Sequence, residues 1–321
     1  MKRWLAPVLP YLAIIGLTAG IVIADRPFWI QLMIGICITA VLALAWDMLS
    51  RTGQVSLGMA AFFGIGTYTT ALVDPVAGAV AAWTAVVLVC AVAAILLGLL
   101  TLRLRHMYFA IATLGFSLSL QVLVTAFPDI TGGAGGVAPP LLAGGEPRWQ
   151  LVAISGLLLL ATATSDILLT RRFRPAFFMI RSKPELAAAS GVPVVRSKIM
   201  AFILSGIYAG LAGACYGGLY GYVVPGDVFN SNWSIMPLAI AILGGMDTTA
   251  GPLLGAFVLR ALEELARAWI GGIGYQVVYG AVIIAFVLAL PRGLIGFVTK
   301  LVRRDTKGDA HPRLQEGRVK S

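Results

Sequence analysis

Long apolar segments alternate with short polar ones along most of the chain. A hydrocarbon core of about 30 Å needs about 20 apolar residues per helix, and the sequence offers about ten segments of that kind. They are 8–24, 28–48, 54–73, 76–100, 107–127, 150–170, 199–223, 233–249, 252–270 and 275–291. The pattern predicts an all-α polytopic membrane protein. The third and eighth segments are short or interrupted by glycine, so whether they cross fully is left open.

Composition supports a membrane location for nearly the whole chain. Apolar residues make up 59% of it, charged residues only 12%, and the mean hydropathy is +0.91. Soluble domains carry about 25% charged residues. The first residues resemble a signal peptide, but no small-residue cleavage site follows, so we interpret them as part of a retained first span. We predict a transmembrane domain over 1–300 and a flexible cytoplasmic tail over 301–321.

The distribution of charge predicts an orientation. If every segment crosses and both termini are cytoplasmic, nearly all of the 24 Lys and Arg residues lie inside. Only Arg26 and Arg148 then lie outside, whereas Arg260 and Arg267 belong to the ninth segment. The acidic residues that fall outside are Asp25, Asp74, Asp129, Glu146 and Asp227. This asymmetry follows the positive-inside rule, which also explains the net charge of +10 without nucleic acid.

Residues 171–198 form a strongly basic loop between two apolar segments. Its basic residues are Arg171, Arg172, Arg174, Arg181, Lys183, Arg196 and Lys198. Each charge would cost about 2.5–3.5 kcal/mol in hydrocarbon, so this basic loop must be cytoplasmic. Pro184 and Gly191 bracket a short stretch with the start and stop signals of a helix. A small helix with little of its own to pack on indicates an attachment point for a partner protein.

The seventh segment carries small residues at every fourth position. They are Ser205, Ala209, Gly213, Gly217 and Gly221, with Gly206, Gly210, Ala214 and Gly218 beside them. Small residues at this spacing let helix backbones approach closely in membranes. We predict helix packing at Gly206, Gly210, Gly213, Gly217 and Gly221. Packing within the chain and a subunit interface or pathway-lining helix both remain open.

The sequence offers no catalytic or metal-binding motif. The glycine-rich segment 132–136 lacks the Gly-Lys-Ser/Thr ending of a nucleotide loop. Cys37, Cys90 and Cys215 each lie in an apolar segment, which predicts buried free thiols rather than disulfides. Two histidines are too few to build a histidine-based zinc or haem site. We therefore expect no catalytic residues and no metal site, and the chain is not predicted to be an enzyme.

Several charged residues fall within or at the ends of apolar segments. Asp47, Asp166 and Asp247 lie at the predicted cytoplasmic ends, where a boundary role is expected. A second group, Arg260, Glu263, Glu264 and Arg267, has i,i+3 and i,i+4 spacing, so its members can pair along one helix face. We interpret this group as structural pairing, with a proton relay as the alternative.

Four blocks of sequence resemble the permease subunits of ABC importers for branched-chain amino acids, the LivH/LivM family, and specifically its LivM branch. The first two are GQVSLG at 53–58 with AAFFGIG at 60–66, and YFAIATL at 108–114 with TGG at 131–133. The third runs from 185–191 through Lys198 to AGLAG at 209–213. The fourth comprises LGGM at 243–246, Gly251-Pro252 and PRGL at 291–294. The blocks occur in the order typical of the family.

The resemblance implies a fold similar to the vitamin B12 importer class and a location in the bacterial inner membrane. It implies a second, LivH-like permease subunit, two cytoplasmic ATPase subunits of the LivG/LivF kind and a periplasmic substrate-binding protein. No cofactor is expected in this chain, because the partner subunits hydrolyse ATP. In such importers the basic loop is the coupling loop that engages the ATPase. That role falls here on Glu185, Ala188 and Gly191.

Departures from the family pattern leave the substrate open. Met59 stands where the family often has His, and Asp247 where it usually has Gly. Branched-chain or other hydrophobic amino acids are the expected substrates, and related permeases carry urea, short amides or aromatic and other organic acids. A stand-alone secondary carrier is a further alternative, disfavoured by the short helix of the basic loop.

The longest outer segment is 128–149, which is rich in glycine and proline. Connections of more than about 12–15 residues without regular structure are usually functional or disordered. We predict that it helps to receive the binding protein, with Asp129, Glu146 and Arg148 as contact residues. A passive connector on the membrane surface is the alternative.

Overall fold

The computed structural model describes residues 8–101, 104, 106–170, 173–270, 280–281, 284 and 293–296. The longer helices are α1 (Leu9–Ala24), α2 (Pro27–Ser50), α3 (Met59–Ala77), α4 (Ala79–Thr101), α5 (His106–Ala126), α7 (Pro147–Leu168), α10 (Val194–Tyr220), α12 (Asn232–Gly244) and α13 (Ala250–Ile270). Short helices are α6 (Pro128–Thr131), α8 (Arg174–Ser182), α9 (Pro184–Ala189) and α11 (Pro225–Val228). Within the described residues the only β-pairing is an isolated bridge between Val137 and Val223.

The all-α polytopic prediction is confirmed. Each of the first nine predicted spans overlaps one of the longer helices. Five of these, α2, α4, α5, α7 and α10, are long and apolar enough to cross a membrane by length and composition. The tenth predicted span, 275–291, and the predicted tail, 301–321, fall outside the described residues, apart from isolated positions in the span.

Polar contacts between helix ends define the two ends of the bundle. Tyr11 and Thr249 both donate hydrogen bonds to Asp166, so α1 and α13 begin where α7 finishes. We call this the basic end, because it carries Arg51, Arg174, Arg181, Lys183, Arg196 and Lys198. At the opposite, acidic end, Arg148 pairs with Asp25. The other members of the acidic end are Asp74, Asp129, Glu146 and Asp227.

Helix α3 begins inside the bundle rather than at its basic end. The predicted span started at 54, but residues 54–58 are non-helical and mostly buried. Unpaired backbone groups are costly at membrane depth. Here three side-chain hydroxyls accept from the N–H groups that start the helix: Thr113 from Leu57, Ser234 from Ala60 and Ser117 from Ala61. Helices α5 and α12 thus cap the start of α3, which explains why a helix can begin there.

Helix α12 is also shorter than its predicted span of 233–249. Its 13 residues extend about 20 Å, less than the roughly 30 Å core. The segment before it, which contains α11, enters the bundle from the acidic end. Phe229 in that segment is 1% exposed, and its ring occupies the space beside Gly64 of α3. The chain therefore reaches α12 already at membrane depth.

Helix α10 lies centrally, packed against α2, α3 and α4. Its small residues form a seam with α3 that we call the small-residue seam. A Cβ atom on Gly213 would overlap the carbonyl oxygen of Phe63, and one on Gly66 would overlap the carbonyl of Gly210. Thr67 donates a 2.7 Å hydrogen bond to the carbonyl of Gly213. The backbones of α3 and α10 therefore touch directly.

The remaining members of the predicted stripe have different surroundings. Gly206 packs against the ring of Phe62, and Gly217 against Thr67. Gly221 is not part of the helix, because α10 ends at Tyr220 and Gly221 caps it with a φ of 65°. The predicted span had continued the helix to 223.

Candidate functional site

The basic loop contains two short helices, α8 and α9, joined at Lys183. Pro184 opens α9, and Gly191 follows its end with a φ of 81°, a conformation that favours glycine. The residues predicted to engage an ATPase, Glu185, Ala188 and Gly191, are all exposed. Ala187 is fully buried, and α9 packs mainly against α8. The helix therefore presents one face outward while its opposite face is held.

Helix α8 attaches the loop to the bundle through apolar and ionic contacts. Phe177 and Ile180 are almost fully buried. Arg181 donates from Nη1 to both carboxylate oxygens of Asp247, at 2.9 and 2.7 Å. Asp247 lies in the connection between α12 and α13 and has a φ of 63°. A residue other than glycine is uncommon in this conformation.

Asp247 also joins the loop to a buried ion pair. Its backbone N–H donates to Oδ1 of Asp47 at 3.0 Å. The side chains of Asp47 and Arg51 are 0% and 3% exposed, and they pair along the last turn of α2. Arg51 further donates to the carbonyl and the hydroxyl of Ser165 on α7, at 2.9 and 2.7 Å. We call Asp47, Arg51, Ser165 and Asp247 the basic-end clamp.

The clamp makes a mechanical connection from the loop to the membrane helices. Two charges buried together are tolerated when hydrogen bonds satisfy their remaining polar atoms, as Ser165 and the Asp247 N–H do here. A surface cleft of about 550 Å³ lies between α8 and the clamp, lined by Arg51, Arg181 and Asp247 among others. A chain of polar contacts therefore runs from α8 through Asp247 to α2, and from Arg51 to α7.

A second charged group lies on α13, at membrane depth. Glu263 accepts from Arg260 at 2.6 Å and from Arg267 at 3.0 Å, and Arg267 also contacts Glu264 at 3.5 Å. The predicted pairing along one helix face is thus present. Glu263 is 9% exposed and lies between the two arginines. We call these four residues the α13 ladder.

The ladder forms one wall of a cleft of about 240 Å³, which we call the α13 cleft. Arg260, Glu264 and Arg267 line it, whereas Glu263 does not. The guanidinium of Arg260 packs against Gly35 of α2, where a Cβ atom would come within 2.8 Å of Nη2. The other walls are mainly apolar and aromatic: Phe28, Leu32, Ile34 and Ile38 of α2, Tyr216, Leu219 and Tyr220 of α10, and Trp233 of α12.

The predicted docking residues lie at the acidic end but not in one cluster. Asp129 is in α6, and Glu146 immediately precedes α7. Arg148 donates from Nε to Asp25 at 2.6 Å, so it also ties α7 to the turn between α1 and α2. The outer segment is held to the body by the bridge from Val137 to Val223. Its docking role stays a prediction.

Sequence reasoning missed two parts of these sites. It placed Asp47 and Asp247 at a boundary but did not pair them with Arg51 and Arg181. The i,i+4 spacing of Asp47 and Arg51 was the available signal for one contact. Nothing in the sequence indicated that Gly35 would receive Arg260, because that contact joins distant helices.

The described residues hold no group of three or more His, Cys, Asp or Glu side chains that could bind a metal ion. The three cysteines are free and buried, as predicted. The family described as branched-chain amino acid transport system / permease component matches residues 28–287. This chain belongs to that family.

Curated relatives agree with the match. The chain is 28% identical over 298 residues to the high-affinity branched-chain amino acid transport system permease protein LivM of Salmonella typhimurium, covering 83% of this chain and 68% of the relative. It is 28% identical over 215 residues to a probable branched-chain amino acid transport permease protein LivH of Methanocaldococcus jannaschii, covering 60% and 65%. It is 27% identical over 277 residues to the autoinducer 2 import system permease protein LsrC of Yersinia pseudotuberculosis, covering 79% and 75%. No solved structure matches.

Proposed function

We propose that this permease is one membrane subunit of an ATP-driven importer for branched-chain or other hydrophobic amino acids. It forms the translocation path with a second permease subunit and receives substrate from a periplasmic binding protein. Two cytoplasmic ATPase subunits engage its basic loop. The basic end then faces the cytoplasm of a bacterial cell, with both termini on that side.

The observation that carries the proposal is the construction of the basic loop. A six-residue helix, α9, is exposed over most of its surface, with Leu186 58% exposed. A helix of this length gains little stability on its own. Yet Ala187 is buried, and the neighbouring α8 is bound to the basic-end clamp through Arg181. The buried side chains of Phe177 and Ile180 hold α8 against the bundle. An exposed surface on an element that packs on the bundle is what a transmitted motion requires.

The substrate class has a second candidate. The match to the LsrC relative, whose name refers to autoinducer 2, covers 79% of this chain, against 83% for LivM of Salmonella typhimurium and 60% for LivH of Methanocaldococcus jannaschii. Family membership alone therefore does not decide whether the substrate is an amino acid or autoinducer 2. Uptake of L-leucine and of autoinducer 2 by the same reconstituted importer distinguishes the two.

Attachment of the ATPases is tested at the ends of α9. Glu185→Lys removes an anion from the helix N-terminus, where it is favourable. Gly191→Trp forces a bulky side chain into a left-handed conformation. We expect both variants to insert and fold, to lose ATPase subunits on co-purification and to lose L-leucine uptake.

Two variants serve as controls. Gly191→Asn places a residue that tolerates this conformation at the same position, so it should retain the ATPases. Glu146→Lys reverses a charge at the acidic end and should not affect co-purification. Full ATPase recovery and normal uptake in Glu185→Lys and Gly191→Trp would contradict the coupling role.

A further inference from the structure

The α13 ladder begins near mid-depth of the bundle, at Arg260, and continues toward the acidic end. Helix α13 begins at the basic end beside Asp166, and Arg260 follows after roughly 15 Å of helix. That is about half of a 30 Å hydrocarbon core. Charged side chains at this depth almost always face the protein interior or a water-filled cavity, and they commonly mark substrate pathways. The ladder therefore needs a polar environment on the side that lines the α13 cleft.

Three of the four ladder side chains stay partly exposed. Glu263 is buried behind the arginines and joins them, with side-chain exposure of 11%. Arg260, Glu264 and Arg267 retain 23%, 29% and 49% exposure. These three side chains are the ones that line the α13 cleft. A buried carboxylate thus holds two guanidinium groups at the wall of a cavity.

We propose that the α13 cleft is a water-accessible part of the translocation path and binds a zwitterionic amino acid. Arg260 takes the carboxylate of the substrate and Glu264 takes its ammonium group. This inference rests on the proposed function and deepens it, since it identifies where the permease touches its substrate.

The chemistry of the walls matches such a substrate. Arginine forms strong charge-assisted hydrogen bonds with carboxylates, and Glu264 supplies a carboxylate for an ammonium group. Side chains four apart on a helix have Cβ atoms about 5–6 Å apart, so one amino acid can reach both. The opposite walls contribute Leu219, Tyr216 and Trp233 for an apolar side chain. The ladder has two positive and two negative residues, which suits a zwitterion better than a net anion or cation.

Water access is tested by cysteine labelling of the assembled importer in proteoliposomes. The probe is a charged, membrane-impermeant methanethiosulfonate, and the parent protein is the background because its three cysteines are buried. Gln31→Cys places a thiol in the cleft, one turn from the start of α2. Val122→Cys is the matched control, one turn from the acidic end of α5 and 68% exposed on an apolar face.

We expect Gln31→Cys to react, Val122→Cys not to react, and modification of Gln31→Cys to block L-leucine uptake. An unreactive Gln31→Cys in the importer would overturn the proposal. If that thiol reacted only in the isolated permease, another subunit would cover the face, which also overturns it. Labelling without loss of uptake would place the cleft off the path.

Substrate contact is tested at Arg260. Arg260→Gln removes one charge-assisted interaction, so uptake measured as kcat/KM should fall about tenfold, while Arg260→Lys should retain part of it. Normal L-leucine uptake by Arg260→Gln would overturn the substrate site. Failure of the proposed function is a different result, because the parent importer itself would then carry no L-leucine.

Discussion

Two helix seams at membrane depth use glycine in opposite ways. In the small-residue seam between α3 and α10, Gly213 and Gly66 admit the backbone of the other helix. In the seam between α2 and α13, Gly35 admits a guanidinium group. The first seam brings the two backbones into direct contact, whereas the second leaves a cleft of about 240 Å³ beside Arg260.

The difference shows what a glycine contributes in each place. At the small-residue seam the missing side chain lets two backbones touch, which is how helices associate without a hydrophobic driving force in lipid. At Gly35 the same absence makes room for the flat end of a long, flexible side chain. The first arrangement cannot yield without moving a helix, but the second can yield by moving one side chain. This difference agrees with a stabilising role for the first seam and with the substrate role proposed for the second.

The largest expected effect on stability is at the basic-end clamp, which lies outside both seams and contains a fully buried ion pair. Asp47→Asn keeps the shape of the side chain but leaves Arg51 buried without its counter-ion. Removing one partner of a buried pair costs about 3–5 kcal/mol. The free energy of unfolding in mixed detergent micelles should fall by that amount.

The matched control is Arg148→Gln at the acidic end. Its ion pair with Asp25 joins the same two residue types, but the side chains are 50% and 51% exposed. Exposed pairs contribute about 0–1 kcal/mol. Equal losses in the two variants would show that burial does not decide the contribution of these pairs.

The second prediction breaks the small-residue seam itself. In Gly213→Ala the new methyl group would overlap the carbonyl oxygen of Phe63. Overpacking of this kind costs about 1–3 kcal/mol, and the unfolding free energy should drop accordingly. Gly115→Ala in α5 is the control, since nothing lies within 4 Å of the added Cβ atom. That change should be neutral or stabilise by about 0.5–1 kcal/mol.

An unchanged unfolding free energy in Gly213→Ala would mean that the two helices can separate at little cost. The assignment of stability to this seam would then be wrong. A loss in Gly115→Ala as large as that in Gly213→Ala would show that glycine matters for helix conformation rather than for packing.

The sequence predicted much of the fold because hydrophobic length and small-residue spacing are local signals. The positions of nine longer helices, the short helix that ends before Gly191 and the pairing of Arg260 with Glu263 follow from such signals. The late start of α3 could not be predicted from the sequence, because three hydroxyls from helices distant in the chain stabilise the first turn of α3. The link from Arg181 through Asp247 to Asp47 was missed for the same reason, since it joins three elements far apart in the chain.

The third prediction, with the smallest effect on stability, tests the charged seam at Gly35. Gly35→Ala would place a Cβ atom 2.8 Å from Nη2 of Arg260 and 3.3 Å from Nε. The guanidinium can move aside, because it is the far end of a flexible side chain, so the unfolding free energy should change by less than about 0.5 kcal/mol. Displacing it should nevertheless reduce L-leucine uptake, by up to the roughly tenfold loss expected for Arg260→Gln. A variant that loses stability as Gly213→Ala does, or that keeps full uptake, would remove the distinction between the two seams.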